Sequence, residues 1–278
     1  MNRLVTLSIA ALAMTAAALP ASAADLGRPI TKAPPIAPVP VVNWTGFYVG
    51  VGLGGRWTNT DFTNTCLAPD VTGVCIQPST FDNPSSFDMS GFRASGYVGY
   101  NWQIGTWVLG IEGDFGWADN TQVHLGIPGT LAFAVPGITD TAEVRDRWDA
   151  SLRGRVGFLV TPQFLLYATG GVSWLDKEVT ITCDAGAFSV CLVPHSESVS
   201  KTMVGWTVGG GIDWMFAPSW VVRAEYRYAD YTGDSLTNRF FAITPVDAFD
   251  VAVDQKTHTL TVGLSYLFNW GAPVAARY

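Results

Sequence analysis

Eight segments of this chain repeat one pattern: about a dozen residues alternating strictly in polarity, large and apolar on one side, small, polar or charged on the other. The final copy is the clearest. It sets Leu260, Val262, Leu264, Tyr266 and Phe268 on one face and Thr259, Thr261, Gly263 and Ser265 on the other. A period of two predicts a β-strand. A soluble barrel would turn its large apolar side chains inward, but here the broad, aromatic-ended face is the apolar one. Apolar outside and polar inside is what lipid demands of a strand. Strands can cross hydrocarbon only when closed into a barrel, because every backbone group must then find a partner within the sheet. The predicted fold is all-β: an eight-stranded antiparallel transmembrane up-and-down barrel with four long extracellular loops.

The start of the chain points to export. Arg3 supplies a positive charge, residues 4–19 are apolar, and Ala21-Ser22-Ala23 is a small-residue cleavage site. This reads as a secretory signal over 1–23, with the mature chain starting at Ala24. No other stretch approaches the roughly 18 consecutive apolar residues of a membrane-spanning helix. Residues 24–43 contain Pro29, Pro34, Pro35, Pro38 and Pro40, a density that favours extended chain over helix or sheet. That linker is a periplasmic spacer or a docking peptide for a periplasmic partner. Residues 44–268 make the barrel, and 269–278 form a tail. Formal charge is −7, or −8 once Arg3 leaves with the signal, which argues against nucleic acid. The 48% hydrophobic and 14% charged content would suit a soluble enzyme equally well, so the arrangement decides.

Segment 44–57 turns Phe47, Val49, Val51 and Leu53 outward, with Tyr48, Gly50, Gly52, Gly54 and Arg56 inward. The others run 91–103, 107–117, 147–160, 164–175, 203–216 and 220–231, ending with the copy that closes at Phe268. Segment 164–175 is the least regular, because Leu165 interrupts its inner face. The connections alternate in length: 104–106, 161–163 and 217–219 are tight, whereas 58–90, 118–146, 176–202 and 232–255 are long. Outer-membrane barrels have short periplasmic turns and long outer loops. Both termini are then periplasmic. Trp44, Trp102, Trp107, Trp214 and Trp220 lie beside the turns, and Trp57, Trp117, Trp148 and Trp174 at the opposite ends, as two aromatic girdles.

The blocks NWTGFYVGVGLGG at 43–55, GYVGYNWQIGTWVLGIEGDFGW at 96–117, SLRGRVGF at 151–158 and LLYATGGVSW at 165–174 carry a further signal. GWTVGGGIDW at 205–214, VVRAEYRYADY at 221–231 and HTLTVGLSYLF at 258–268 complete it. In these the chain resembles the small outer-membrane β-barrel proteins of alphaproteobacteria, the opacity-like, porin-family surface antigens. The resemblance covers all eight strands and little of the loops. It implies an integral outer-membrane protein with a structural or antigenic role. Such barrels commonly end on the last strand's aromatic, which the assembly machinery reads. Here Phe268 is followed by ten more residues ending in Tyr278, so either an internal strand or Tyr278 serves as that signal.

Opposed charges occupy the inner face. Glu112 and Asp114 face Arg153 and Arg155 on the next strand, Asp213 faces Arg223, Glu225 and Arg227, and Arg93 joins them. An eight-stranded barrel is just wide enough for side chains to fill it, and buried charges must pair. The expectation is a plug of salt bridges contributing to envelope integrity. A narrow porin-like channel for small solutes or ions is the alternative, and a catalytic carboxylate site the remote third. Cys66, Cys75, Cys183 and Cys191 fall in long loops, and the oxidising periplasm favours disulfides. Three connectivities exist. Cys66–Cys75 and Cys183–Cys191 are preferred because they close short rings without requiring contact between loops.

Zinc is not expected from these spacings. Gly50-Val51-Gly52-Leu53-Gly54 is not a dinucleotide motif, since strand alternation continues through it where a helix should start. His124, His195 and His258 look like isolated surface residues. No catalytic residue, metal or cofactor is expected. The long connections are acidic, with Asp61, Asp70, Asp82 and Asp88 in the first, and Asp234, Asp247, Asp250 and Asp254 against Arg239 in the fourth. That favours cations over anions, or simply keeps the loops soluble. Expected partners are outer-membrane lipid and lipopolysaccharide, the outer-membrane assembly machinery, and a host or cell-surface partner of unknown kind, but not nucleic acid.

Overall fold

The computed structural model describes residues 42–66, 86–126, 139–184, 194–232 and 249–269. Among them are eight strands: β1 (Gly46–Cys66), β2 (Ser86–Ile104), β3 (Trp107–Leu125), β4 (Thr141–Thr161), β5 (Phe164–Cys183), β6 (His195–Ala217), β7 (Trp220–Asp230) and β8 (Phe249–Phe268). Each pairs antiparallel with its successor, and β1 pairs antiparallel with β8, so the strand order forms a ring. The expected signal 1–23 and most of the linker and tail lie outside the described residues.

The alternation holds in the middle of every strand. Val51, Leu53, Leu152, Leu166, Val208, Val262 and their neighbours are exposed outward. The turn-side rim is ringed by aromatic pairs directly opposite one another on adjacent strands: Trp107 with Phe158, Phe164 with Trp214, Trp220 with Tyr266, and Phe47 with Phe268. Their ring centroids lie 5.2 to 5.9 Å apart, the spacing at which aromatic pairs attract beyond simple burial. The far girdle contains Phe115 against Trp117 and Trp148, and Trp206 against Tyr228.

The turns β2–β3, β4–β5 and β6–β7 are tighter than expected, leaving only residues 105–106, 162–163 and 218–219 unpaired. Gly105 takes φ +63°, a left-handed conformation natural to glycine; Ser219 takes φ +70° without that freedom.

The strands depart from the sequence reading at their other ends. β1 runs to Cys66, β4 starts at Thr141, β5 runs to Cys183, β6 starts at His195 and β8 starts at Phe249. Asp61, Asp88, Asp250 and Asp254 therefore sit on strands, not in loops. Toward these ends β4, β5 and β6 reverse the pattern. Ala142, Val144, Leu175, Val179, Ile181 and Met203 point inward and are buried, while the outer face carries the hydrogen-bonded pairs Thr180–Ser198 (2.8 Å) and Thr182–Ser196 (3.0 Å). Arg147 there pairs with Asp176 (3.6 Å) and Glu178 (3.9 Å). Apolar inside and polar outside is the arrangement of a barrel wall standing in water.

Candidate functional site: the filled lumen

The floor of the lumen, at the turn side, is apolar. Trp44, Tyr48, Tyr97, Val108, Leu165, Met215, Val221 and Leu267 form one buried cluster. One expectation is corrected here and one irregularity explained. Trp44 is not a girdle residue: it precedes β1, folds under the barrel and is 1% exposed. Its backbone N–H donates to Gln103 Oε1 (2.8 Å) and its indole N–H to the Pro162 carbonyl (3.0 Å), tying the incoming chain to two separate turns. Leu165 breaks the polar inner pattern because it belongs to this floor.

Above the floor lies a two-tiered ion-pair network. In the lower tier Glu112 accepts from Arg153 (2.6 Å) and Arg223 (2.5 Å), and from the Tyr48 hydroxyl (2.7 Å). Asp213 pairs with Arg155 (2.7 Å) and Arg223 (3.0 Å), and Glu225 with Arg153 (2.7 Å) and the Tyr167 hydroxyl (2.8 Å). In the upper tier Asp114 pairs with Arg93 (2.6 Å) and Arg227 (2.8 Å), and accepts from the Ser151 hydroxyl. Asp149 takes Arg93 (2.7 Å), Arg227 (3.1 Å) and Arg56. Arg153 stands 3.6 Å from Asp114 and links the tiers. All nine charged residues expected in the lumen are therefore in one network.

The pairing differs in detail from expectation. The close carboxylate partner of Arg155 is Asp213; Glu112 stands 3.7 Å away. Two members were missed. Asp149 shares parity with Arg153 and Arg155 on β4 and so was visible in the alternation. Arg56 was assigned inward but given no partner.

The network is packed as tightly as it is paired. Arg155 lies over the Tyr167 ring, 3.9 Å from its centroid, and Arg223 over Tyr97 at 4.4 Å, positions in which a cation is attracted to the ring face. Inner glycines give these side chains their room: a side chain at Gly99 would run into the Tyr48 ring, and one at Gly50 into Tyr97. Between floor and network, the space bordered by Trp44, Tyr48, Asn101 and Arg223 is only about 10 Å³, no more than one water requires.

Further toward the long connections, Leu175, Met203, Ala229 and Tyr231 form a second buried apolar cluster. Beyond it Lys177 faces Asp146 at 3.8 Å and reaches Thr60 at 3.4 Å, while Gln255 donates to Asp146 at 3.0 Å. These contacts join β5 to β1 and β8 to β4 across the barrel.

On the outer wall His258 is not isolated, as its Nδ1 lies 2.7 Å from the Tyr226 hydroxyl. Of the four cysteines, Cys75 and Cys191 lie outside the described residues; Cys66 and Cys183 end β1 and β5. No group of three or more His, Cys, Asp or Glu is placed to hold a metal ion among the described residues.

The outer membrane protein beta-barrel domain family matches residues 9–268 of this chain. A 31 kDa outer-membrane immunogenic protein of Brucella melitensis is 30% identical over 96% of the chain and 100% of its own length. A 22 kDa outer membrane protein of Rhizobium leguminosarum is 30% identical, covering 70% of the chain and 68% of its own length. The 25 kDa outer-membrane immunogenic protein of Brucella canis is 27% identical over 96% of the chain and 99% of its own length.

Proposed function

The chain belongs to the outer membrane protein beta-barrel domain family, and from that premise we propose how it is seated in the membrane and what it does there. It is a structural, surface-exposed outer-membrane β-barrel protein with an interior filled by buried ion pairs. It is not an enzyme; its relatives bear the names of outer-membrane and immunogenic proteins.

In our reading the eight strands are the whole membrane-spanning unit, closed by the pairing of β1 with β8. The hydrocarbon spans the exposed apolar band between the two aromatic girdles, with lipid and lipopolysaccharide around it. The two-residue turns and both termini face the periplasm, and the four longer connections face outward. Residues 1–23 direct export and are removed, 24–43 act as a periplasmic spacer, and the assembly machinery inserts the barrel from that side. The outer connections are then what an immune system meets, which fits the immunogenic relatives.

The observation that carries a non-conducting role is the charge network above an apolar floor. Five carboxylates and six arginines fill the lumen, and a broken buried pair costs about 3–5 kcal/mol. An ion could pass only by breaking such pairs. Purified protein in a planar bilayer should show no steady single-channel steps. Large, reproducible steps would overturn the plugged reading and favour a porin-like channel.

A further inference from the structure

Six arginines, Arg56, Arg93, Arg153, Arg155, Arg223 and Arg227, face five carboxylates, Glu112, Asp114, Asp149, Asp213 and Glu225, and all eleven are buried. The next layer adds Lys177 and Asp146, one charge of each sign. Asp140 is buried further toward the rim, where it accepts from the Asp184 backbone N–H at 3.0 Å. Among the described residues, the stretch of lumen from the floor to the Lys177–Asp146 layer, below Asp140, thus holds one more positive than negative side chain.

The surplus can be placed. Asp149 already serves Arg93 and Arg227, so Arg56 shares a carboxylate that is spoken for twice. Arg56 touches Asp149 through Nη2 alone. Its Nε and Nη1 have no hydrogen-bond partner among the described residues, although the side chain is 2% exposed.

Its surroundings share that condition. The hydroxyls of Thr58 and Thr257 and both amide atoms of Asn120 are buried without hydrogen-bond partners among the described residues. Thr58 is two residues along β1 from Arg56, on the same inner face, and lies directly opposite Thr257 of β8. Asn120 pairs opposite Asp146 on the neighbouring wall. The layer is closed on one side by Asp149 and on the other by the Lys177–Asp146–Gln255 contacts. Elsewhere in the lumen, among the described residues, atoms without a hydrogen-bond partner are scattered, as at Asn101 Oδ1 and Arg153 Nε.

Unused N–H donors on a buried cation, flanked by hydroxyls and an amide, are a costly arrangement unless something accepts from them. We infer that Arg56, Thr58, Thr257 and Asn120 hold a small monovalent anion of halide size inside the barrel, as the counter-ion of Arg56. Neutral water would satisfy the donors but leave the charge. On the Asp146 side of the layer, Asp146 Oδ1 and the Gln255 side-chain Oε1 are buried acceptors without hydrogen-bond partners among the described residues, which restricts the ion to the Arg56 side.

Bromide and chloride test this on the full mature chain, refolded in detergent. At constant ionic strength, replacing sodium gluconate by sodium bromide should raise the urea unfolding midpoint along a curve that saturates. Thr257→Val, losing one donor, should raise the half-saturating bromide concentration about tenfold. Arg56→Gln should abolish the dependence. Crystals grown in bromide should show an anomalous peak beside Arg56 Nε. Equal midpoints in bromide and gluconate, or a saturating shift that survives Arg56→Gln, would overturn the site. So would ordered water beside Arg56 with no bromide signal. If Arg56→Gln does not fold, the Thr257→Val titration and the wild-type bromide crystal decide the matter alone.

Discussion

Single side chains in this lumen act through their partners. Glu112 holds Arg153, Arg223 and the Tyr48 hydroxyl. Glu112→Gln should lower unfolding stability by about 3–5 kcal/mol, because two buried guanidinium groups lose a shared counter-charge. Urea titration in detergent micelles measures this, and a loss below about 1 kcal/mol would show that the network is solvated. Asp149→Asn should cost as much, since three arginines converge on it. Gly99→Val tests packing without replacing a charged residue. The new side chain meets the Tyr48 ring, which can yield, and the Ile111 carbonyl, which cannot. A loss of about 1–3 kcal/mol is expected by the same titration.

At the scale of elements, two pieces of local structure are exposed to test. Trp44 seals the floor from a segment that belongs to no strand. Trp44→Ala should remove about 3–5 kcal/mol and admit solvent to Tyr48, read as faster hydrogen exchange in the first residues of β1. Ser219 holds a positive φ at the β6–β7 turn, so Ser219→Gly should gain about 1 kcal/mol in the same urea assay. The legibility of these elements divides along physical lines. Between the girdles, lipid imposes apolar-outward alternation, and strand identity, facing and even the partners Asp213 and Arg223 could be read directly. Beyond the girdles water replaces lipid and the rule inverts. Val144, Val179 and Ile181 point inward, so a search for outward apolar residues stops too early and names the extensions loops. Trp44 was misplaced because tryptophan near a strand end suggests a girdle equally well; its burial depends on a chain path that no periodicity encodes. Asp149 needed only its parity to be noticed.

For the molecule as a whole, the cysteine pairing remains a prediction. Unreduced peptide mapping should join Cys66 to Cys75 and Cys183 to Cys191; any peptide joining the first pair to the second would refute it. Closing these rings should stabilise the outer connections by about 2–3 kcal/mol and leave the barrel intact when reduced. The strand extensions give the molecule a height that a membrane plug alone does not require. β5 continues nine residues past Trp174, which at the rise and tilt of a barrel strand lifts its end roughly 20 Å above the girdle. In the orientation proposed above, the outer connections spring from a hydrogen-bonded collar that clears the sugar headgroups. A protease applied to whole cells should clip the tips and halt at the collar, leaving a core that still migrates as a folded band. An antibody should reach those tips through a polysaccharide layer that hides shorter barrels.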